Sequence, residues 1–355
     1  MRSAFFKRVR PEQVREIALL AIIIMVVLFF ATQVPNFASG RTFTRIATTT
    51  PIIIVLGVGL TLVVLTRNID LSIGSMVAVV AYGVGTFLIT DPGLNPVFVI
   101  ALCIAIGAVL GTINGLIVAY GGVPAIVATL GTLAIYRSML STTADASPVT
   151  VAKLPDWIVD LNSINLATIE GFSFRVLPIL ALAVVIVFQL IISYARYGRR
   201  LFAIGSNPDA ARTAGLPVKR DIFIAFVLCG ALAGLAGWMY IARFGNVNTQ
   251  AAVGLELAVV AAVVVGGVNI FGGSGSMIGV VLGAMLIVFI DQGLIRWAEV
   301  SEFLRDALLG LLILLAVASD RIILDRLRAI WARERRQEEE RERAGPAAPQ
   351  GAGDG

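Results

Sequence analysis

The 355 residues contain no histidine, and the only two cysteines, Cys103 and Cys229, both sit inside apolar runs. A metal site built on imidazole or thiolate is therefore unsupported, and so is a disulfide framework. Lysine is nearly as scarce. Lys7, Lys153 and Lys219 are the only three, and none follows the glycine spacing of a P-loop, so the chain is not its own ATPase. No nucleophile with a neighbouring base stands out, which argues against a membrane enzyme. Charged residues make up only 14% of the chain, too few to cover the surface of a soluble domain of this size.

What fills the chain instead is apolar: 58% hydrophobic residues, a mean hydropathy of +0.90, and repeated runs about as long as a bilayer core is thick. The composition predicts an all-α, polytopic transmembrane helical bundle. The 35 glycines fit close helix packing in a membrane better than they fit soluble loops. The net charge of +5 does not point to nucleic acid, because the basic residues bracket apolar runs instead of lining one surface.

Reading runs bounded by charge, Gly or Pro places about ten spans: 17–33, 48–66, 71–90, 97–119, 124–141, 176–194, 222–241, 255–270, 276–292 and 303–320. Most Lys and Arg then fall on one side. They are Arg2 to Arg15, Arg67, the group from Arg196 to Arg220, and the tail from Arg321 to Arg343. The inside-positive rule makes that side cytoplasmic and puts both termini there. Residues 1–16 form an interfacial lead-in, 17–320 the membrane domain, and 321–355 a charged tail that turns to Gly, Pro and Ala and reads as disordered. Within the domain, 195–221 is the longest cytoplasmic connection and 142–175 the large outer loop. An alternative reading of the first span, "IALLAIIIMVVLFFA", is a cleaved signal peptide with processing near Ala38. It leaves the other spans in place.

The cytoplasmic connection contains "SNPDAARTAGL", which carries a full set of helix-end signals. Asn207 suits an N-cap, Pro208 the first helical position, Asp209 the positive helix end, and Gly215 a left-handed closing residue. A helix of about two turns from Pro208 to Ala214 is expected, with Ala210, Ala211 and Ala214 as small faces and Arg212 projecting. Such an element is either plain loop structure or a part that enters a partner's groove.

Charge inside the apolar region is expensive and draws attention to "LTRNIDLSIGS", residues 65–75. Arg67 and Asp70 lie between two spans, at the cytoplasmic end of a hairpin, where neither needs burial at mid-bilayer. Arg67 satisfies the inside-positive bias and Asp70 leads the next helix; a mutual ion pair and a role as an inner gate are the alternatives. Residues 68–81 align with 269–282 at Asn, Ile, Gly, Ser, Met, Val and Val, a weak internal echo. "GGSGSMIG" at 272–279 misses the dinucleotide-binding spacing and reads as a tight turn with helix packing. Polar groups within spans are path candidates: Asn114, Thr129, Thr132 and Arg137, together with Arg67 and Asp70 at the gate. Glu256, and Asp291 near the end of a span, lie toward the outer face. In the outer loop Asp145, Asp156, Asp160 and Glu170 with Trp157 either receive a partner or cover the bundle.

Four ordered blocks carry a resemblance over roughly residues 45–320: "TRNIDLSIGS", "INGLIVAYGGVPAIVATLGTLAIYR", "AIGSNPDAARTAGL" and "GLELAVVAAVVVGGVNIFGGSGSMIGVVLGA". The chain resembles the membrane permease subunits of ribose-type monosaccharide ABC importers of bacteria. It is most like the permeases for autoinducer-2 and rhamnose, whereas many ribose-type members carry Gly-Gly at Arg67-Asn68. The resemblance implies a multi-pass protein of the bacterial inner membrane, with a path for rhamnose, autoinducer-2 or a ribose-type sugar. It also implies two permease subunits, identical or paralogous, bound to cytoplasmic ABC ATPase subunits and fed by a periplasmic or lipid-anchored sugar-binding protein. ATP-Mg belongs to the partner ATPase, and this chain carries no cofactor. Asn207, Pro208, Asp209, Ala210, Ala211, Arg212, Ala214 and Gly215 become the ATPase-coupling element. A secondary transporter or channel for a small polar solute is the competing class; it usually carries mid-span carboxylates, which this reading does not find.

Overall fold

The computed structural model describes residues 11–144, 147–169 and 171–297, with residues 307, 308, 310, 311 and 314 beyond them. Most of the expected span 303–320 lies outside the described residues. So do the tail 321–355, residues 1–10 of the lead-in, Asp145 and Glu170. Contacts divide the chain at residue 314, and the helices and strands named here belong to the unit of residues 1–313.

Long helices dominate: α1 Pro11–Gln33, α2 Gly40–Val64, α3 Ile73–Thr90, α4 Pro96–Gly115, which runs on through a wider turn Leu116–Tyr120, and α5 Ala125–Ala144. After a small extramembrane segment with α6 Asp156–Leu161 and the hairpin β1 Asn165–Ile169 and β2 Phe172–Arg175 come α7 Val176–Tyr194, α8 Arg196–Ser206 and α9 Pro208–Thr213. The last described helices are α10 Val218–Phe244, α11 Leu255–Val265 and α12 Met277–Trp297. Among the described residues eight helices are long and apolar enough to cross a membrane, and α11 is a shorter apolar helix. Where a span was expected over 255–270, the helix stops after 11 residues, about 16 Å at the α-helical rise.

α2 starts well before the expected residue 48, although "RTFTRIATTTP" looks like loop. Ser39 Oγ accepts from the Thr42 amide at the N-terminus. The threonine hydroxyls then turn back onto the helix's own carbonyls, Thr44 to Gly40 at 2.9 Å and Thr50 to Ile46 at 2.7 Å. A hydroxyl satisfied this way can enter an apolar bundle without the cost of an unpaired polar group. α2 is the most buried of the eight.

The closest seam joins α4 to α10. Gly107 and Gly111 on α4 face Gly230 and Gly234 on α10, and at each position an added Cβ would run into the backbone of the other helix. Lipid tails supply no hydrophobic drive for helices to associate, so backbone contact through small residues does the holding. The seam is closed to solvent: Cys103 of α4 lies against Gly234 and Phe226 of α10 against Gly111, both completely buried, while Cys229 on another side of α10 packs on Gly59 of α2.

At one end of the bundle the segment 147–175 lies over the helices. Ile158 of α6 is completely buried, Val149 pairs with Val247 beyond α10, and the Ser173 amide donates to Thr44 Oγ1 at 2.9 Å. Asp156 and Asp160 face solvent and Trp157 is half-buried. The segment thus covers the bundle with one face and presents its carboxylates on the other. The opposite end gathers Arg15, the α2–α3 connection, α8, α9 and the loop after α11.

Candidate functional site

The connection between α7 and α10 holds two helices, not one. α8 was missed although its apolar spacing was readable: Leu201, Ile204 and Gly205 are buried at helical intervals and Arg196 and Arg199 are exposed. Arg200 pins α8 to α10 with a fork on Asp221, Nε to Oδ2 at 2.7 Å and Nη2 to Oδ1 at 3.0 Å, the Asp221 side chain being wholly buried. Burial and the adjacent Asp221 carboxylate raise the pKa of the Tyr197 phenol.

α9 is the helix the sequence announced. Asn207 Oδ1 accepts from the Asp209 and Ala210 amides at 3.1 and 3.0 Å, and Pro208 opens the helix. Gly215 has φ +76°, with its amide on Arg212 O and the Leu216 amide on Ala211 O, both at 3.0 Å, a Schellman closure. The three alanines do not share a face. Ala211 turns inward onto Ile204 and Val218, while Ala210 and Ala214 are exposed with Asp209, Arg212 and Thr213. The Asp209–Arg212 pair at 3.2 Å is exposed on both sides and adds little stability.

Arg67 and Asp70 do not pair. Arg67 closes α2 in the left-handed conformation, φ +66°, a position glycine favours and where a side chain costs about 1–2 kcal/mol. Its guanidinium reaches across to α8: Nε donates to Gly205 O at 2.6 Å and Nη2 to Ser206 O at 2.8 Å. Gly205 has no room for a Cβ, because Leu65 O and Gly273 N stand there, and the Gly273 amide donates to Leu65 O at 3.2 Å. Three backbones meet at this point, directly before the α9 cap.

Asp70, expected at the cytoplasmic end of a hairpin with no need of burial at mid-bilayer, is completely buried within the fold. The reason is local satisfaction. Its Oδ1 accepts from the Ser72 amide at 2.9 Å and the Ser72 hydroxyl at 2.7 Å, and its Oδ2 from Asn114 Nδ2 at 3.1 Å. It therefore holds the start of α3, as the helix-leading reading expected. No cation lies within salt-bridge distance among the described residues, and burial pushes the carboxyl above its ordinary pKa, against the pull of the Ser72 and Asn114 bonds.

Asn114 and Thr129 join the same cluster. Asn114 Nδ2 also donates to Ser72 Oγ at 2.8 Å, and its buried Oδ1 has no hydrogen-bond partner among the described residues. The Thr129 hydroxyl lies 3.3 Å from Ile69 O and 2.8 Å from Ala125 O. Thr132 is buried and turns onto Thr129 O of its own helix. Arg137 stands elsewhere, seven residues before the end of α5, about 10 Å in. Its Nη1 donates to Ala251 O at 2.6 Å, in the non-helical stretch before α11, where Ala252 has φ +54° and its amide donates to the Tyr240 hydroxyl at 3.3 Å. Glu256 lies in the field of Arg137 and against Gly74, whose missing side chain makes the space. Ser72, Gly205, Tyr240 and Gly74 were not singled out by sequence; only their partners in space identify them.

The echo between 68–81 and 269–282 has a backbone counterpart in a different register. Arg67 and Gly267 both close a helix with positive φ and paired amide bonds, and Ser72 and Ser276 both lead the next helix. The aligned letters pair Arg67 with Val268 and Ser75 with Ser276, so the second connection is the longer and the fixed alignment is not kept. "GGSGSMIG" forms a turn with Gly272 and Gly273 at positive φ, and Gly279 packs on Gly266, in line with a turn and helix packing.

The sequence profile of the family described as "Branched-chain amino acid transport system / permease component" matches residues 42–317. The autoinducer 2 import system permease protein LsrC of Yersinia pseudotuberculosis is 35% identical over 321 residues, covering 90% of this chain and 87% of the relative. The ribose import permease protein RbsC of Escherichia coli is 33% identical over 325 residues, covering 90% of this chain and 96% of the relative. No solved structure matches the chain.

Proposed function

We propose, from the premise that this chain belongs to the family of branched-chain amino acid transport system permease components, that it is the membrane subunit of a binding-protein-dependent ABC importer whose power comes from a separate ATPase. The observation that carries this reading is α9, a short helix capped at both ends and held at the surface by α8, with Asp209, Ala210 and Arg212 presented outward. A loop needs no such finish. An element that must enter a groove on an ATPase and keep its shape under load does.

The solute is a monosaccharide or sugar-like molecule. The family description names branched-chain amino acids, but relatives aligned over most of the chain are named for autoinducer 2 and ribose, and rhamnose belongs to the same chemistry. Arg137, Glu256, Tyr240 and the non-helical backbone at Ala251 and Ala252, whose carbonyls accept from Arg137, supply polar contacts within the bundle, where irregular backbone is tolerated only if it is buried or lines a cavity. Asp70, Asn114 and Thr129 form the inner gate.

We place the α9 end in the cytoplasm with both termini, for about ten crossings in all: the eight long helices, α11 with its leading stretch, and residues 303–320. Arg15, Arg67, Arg196 and Arg199 gather at that end, which supports the orientation in a bacterial inner membrane. The covering segment 147–175, with Asp156 and Asp160 exposed, then faces a periplasmic or lipid-anchored binding protein. A second permease copy or a paralogue completes the path, and ATP-Mg stays on the ATPase. Proteoliposomes holding this chain alone, or with the ATPase and binding protein of its system, test the reading: uptake of tritiated ribose, rhamnose or autoinducer 2 requires all components and ATP. Uptake by the chain alone on an ion gradient would instead make it a secondary transporter.

A further inference from the structure

We propose that Arg67 is a positioning residue that carries displacement of α9 into α3, the clamp by which an event at the cytoplasmic surface reaches the polar cluster in the bundle. The inference rests on the reading of α9 as the ATPase-coupling helix.

The geometry is direct. Arg67 holds the last two carbonyls of α8, Gly205 and Ser206, and the next residue is Asn207, the cap of α9. Those carbonyls lie at the negative end of a helix, where a guanidinium fork binds with charge assistance and in a fixed orientation. On its other side Arg67 continues through residues 68–72 to α3. There Asp70 ties Ser72 to Asn114 of α4, and Gly74 in the first turn of α3 lies against Glu256 and Ala252 O. Five short residues connect the clamp to the site.

The joint has no slack. Gly205 touches Leu65 O and Gly273 N without room for a methyl group, and Gly272 lies against the Arg67 side chain. A packed contact of this kind moves as a unit or changes to a second discrete arrangement; it does not stretch. Displacing α9 while leaving residues 65–68 in place would break two charge-assisted hydrogen bonds and separate three backbones. The left-handed backbone at Arg67 supports a role for the side chain, because closing α2 alone would be served better by glycine.

That preference also supplies the test. Arg67→Gly removes the fork while relieving the left-handed cap, so the loss of two hydrogen bonds is offset in part and the exchange response retained at 207–215 reports that the variant is folded. The assay is hydrogen exchange on the full chain assembled with its ATPase and binding protein in lipid nanodiscs, with and without ATP plus vanadate. In the native complex, trapping changes exchange at residues 207–215 and at 68–76. In Arg67→Gly the change at 207–215 persists and the change at 68–76 is lost. Arg67→Lys, with one point donor for two carbonyls, restores part of it. A native-sized change at 68–76 in Arg67→Gly overturns the clamp, as does a native complex in which 207–215 responds and 68–76 does not. If 207–215 does not respond in the native complex, the coupling reading of α9 fails and the clamp falls with it.

Discussion

Arg67 Nε lies 2.6 Å from the carbonyl oxygen of Gly205, so the residue that closes α2 grips the end of α8, directly before the cap of α9.

The Arg200–Asp221 fork fixes α8 to the start of α10. Removing one partner of a buried pair leaves the other charge unpaired, so Arg200→Ala is expected to cost about 3 kcal/mol. Arg200→Lys, a point donor in place of a fork, falls between. Thermal unfolding in detergent, followed by loss of the monodisperse peak, gives the order Arg, Lys, Ala.

Gly111 has only the backbone of α10 to meet a side chain. Gly111→Val forces the two helices apart and costs about 3 kcal/mol, with loss of folded protein from the membrane. Gly131 on α5 has open space around it, and Gly131→Ala is expected to express and melt like the native chain.

Asn207 caps α9 through two amides. Asn207→Ala is expected to cost about 1 kcal/mol, localised to α9, and to speed exchange of the Asp209 and Ala210 amides several-fold. Gly215→Ala, at φ +76°, adds a similar cost at the other end. Neither change touches the membrane bundle, so insertion is unaffected while ATP use and transport come apart.

Asp70 gives a pH dependence whose sign follows from its burial. Its folded pKa is raised, chiefly by desolvation, so the folded state binds the proton more tightly than the unfolded chain. Stability from this group therefore falls as pH rises from the ordinary carboxylate value through the folded one. Asp70→Asn keeps an acceptor for Ser72 and, with the Asn114 amide turned over, gives the unpartnered Asn114 Oδ1 a donor. The melting temperature of Asp70→Asn relative to native is expected to be highest at neutral and alkaline pH and to approach native as pH falls. A difference that does not change with pH contradicts the assignment.

Local chemistry was legible in the sequence and contacts distant in the chain were not. The caps of α9 lie within nine residues of one another, each position constraining its neighbour's backbone, and every one of them stands where Asn207, Pro208 and Gly215 placed it. Eight of the expected spans are long apolar helices, although the threonine-rich start of α2 hides part of its helix by bonding to itself, and the run 255–270 holds only the 11-residue α11. The partner of Arg67 lies 138 residues away and that of Asp70 lies 44 away on another helix. No spacing rule names such pairs. The burial of Asp70 was missed for the same reason: the groups that make it tolerable, Ser72 and Asn114, come together only in the fold.

The most direct test of the central claim is ATP-dependent uptake in proteoliposomes containing the chain, its ATPase and its binding protein, measured with tritiated ribose, rhamnose and autoinducer 2 in separate runs. Accumulation of at least one of these, abolished by omitting ATP, the ATPase or the binding protein, is the result predicted. Accumulation by the chain alone on a proton or sodium gradient, unchanged by ATP, would contradict it.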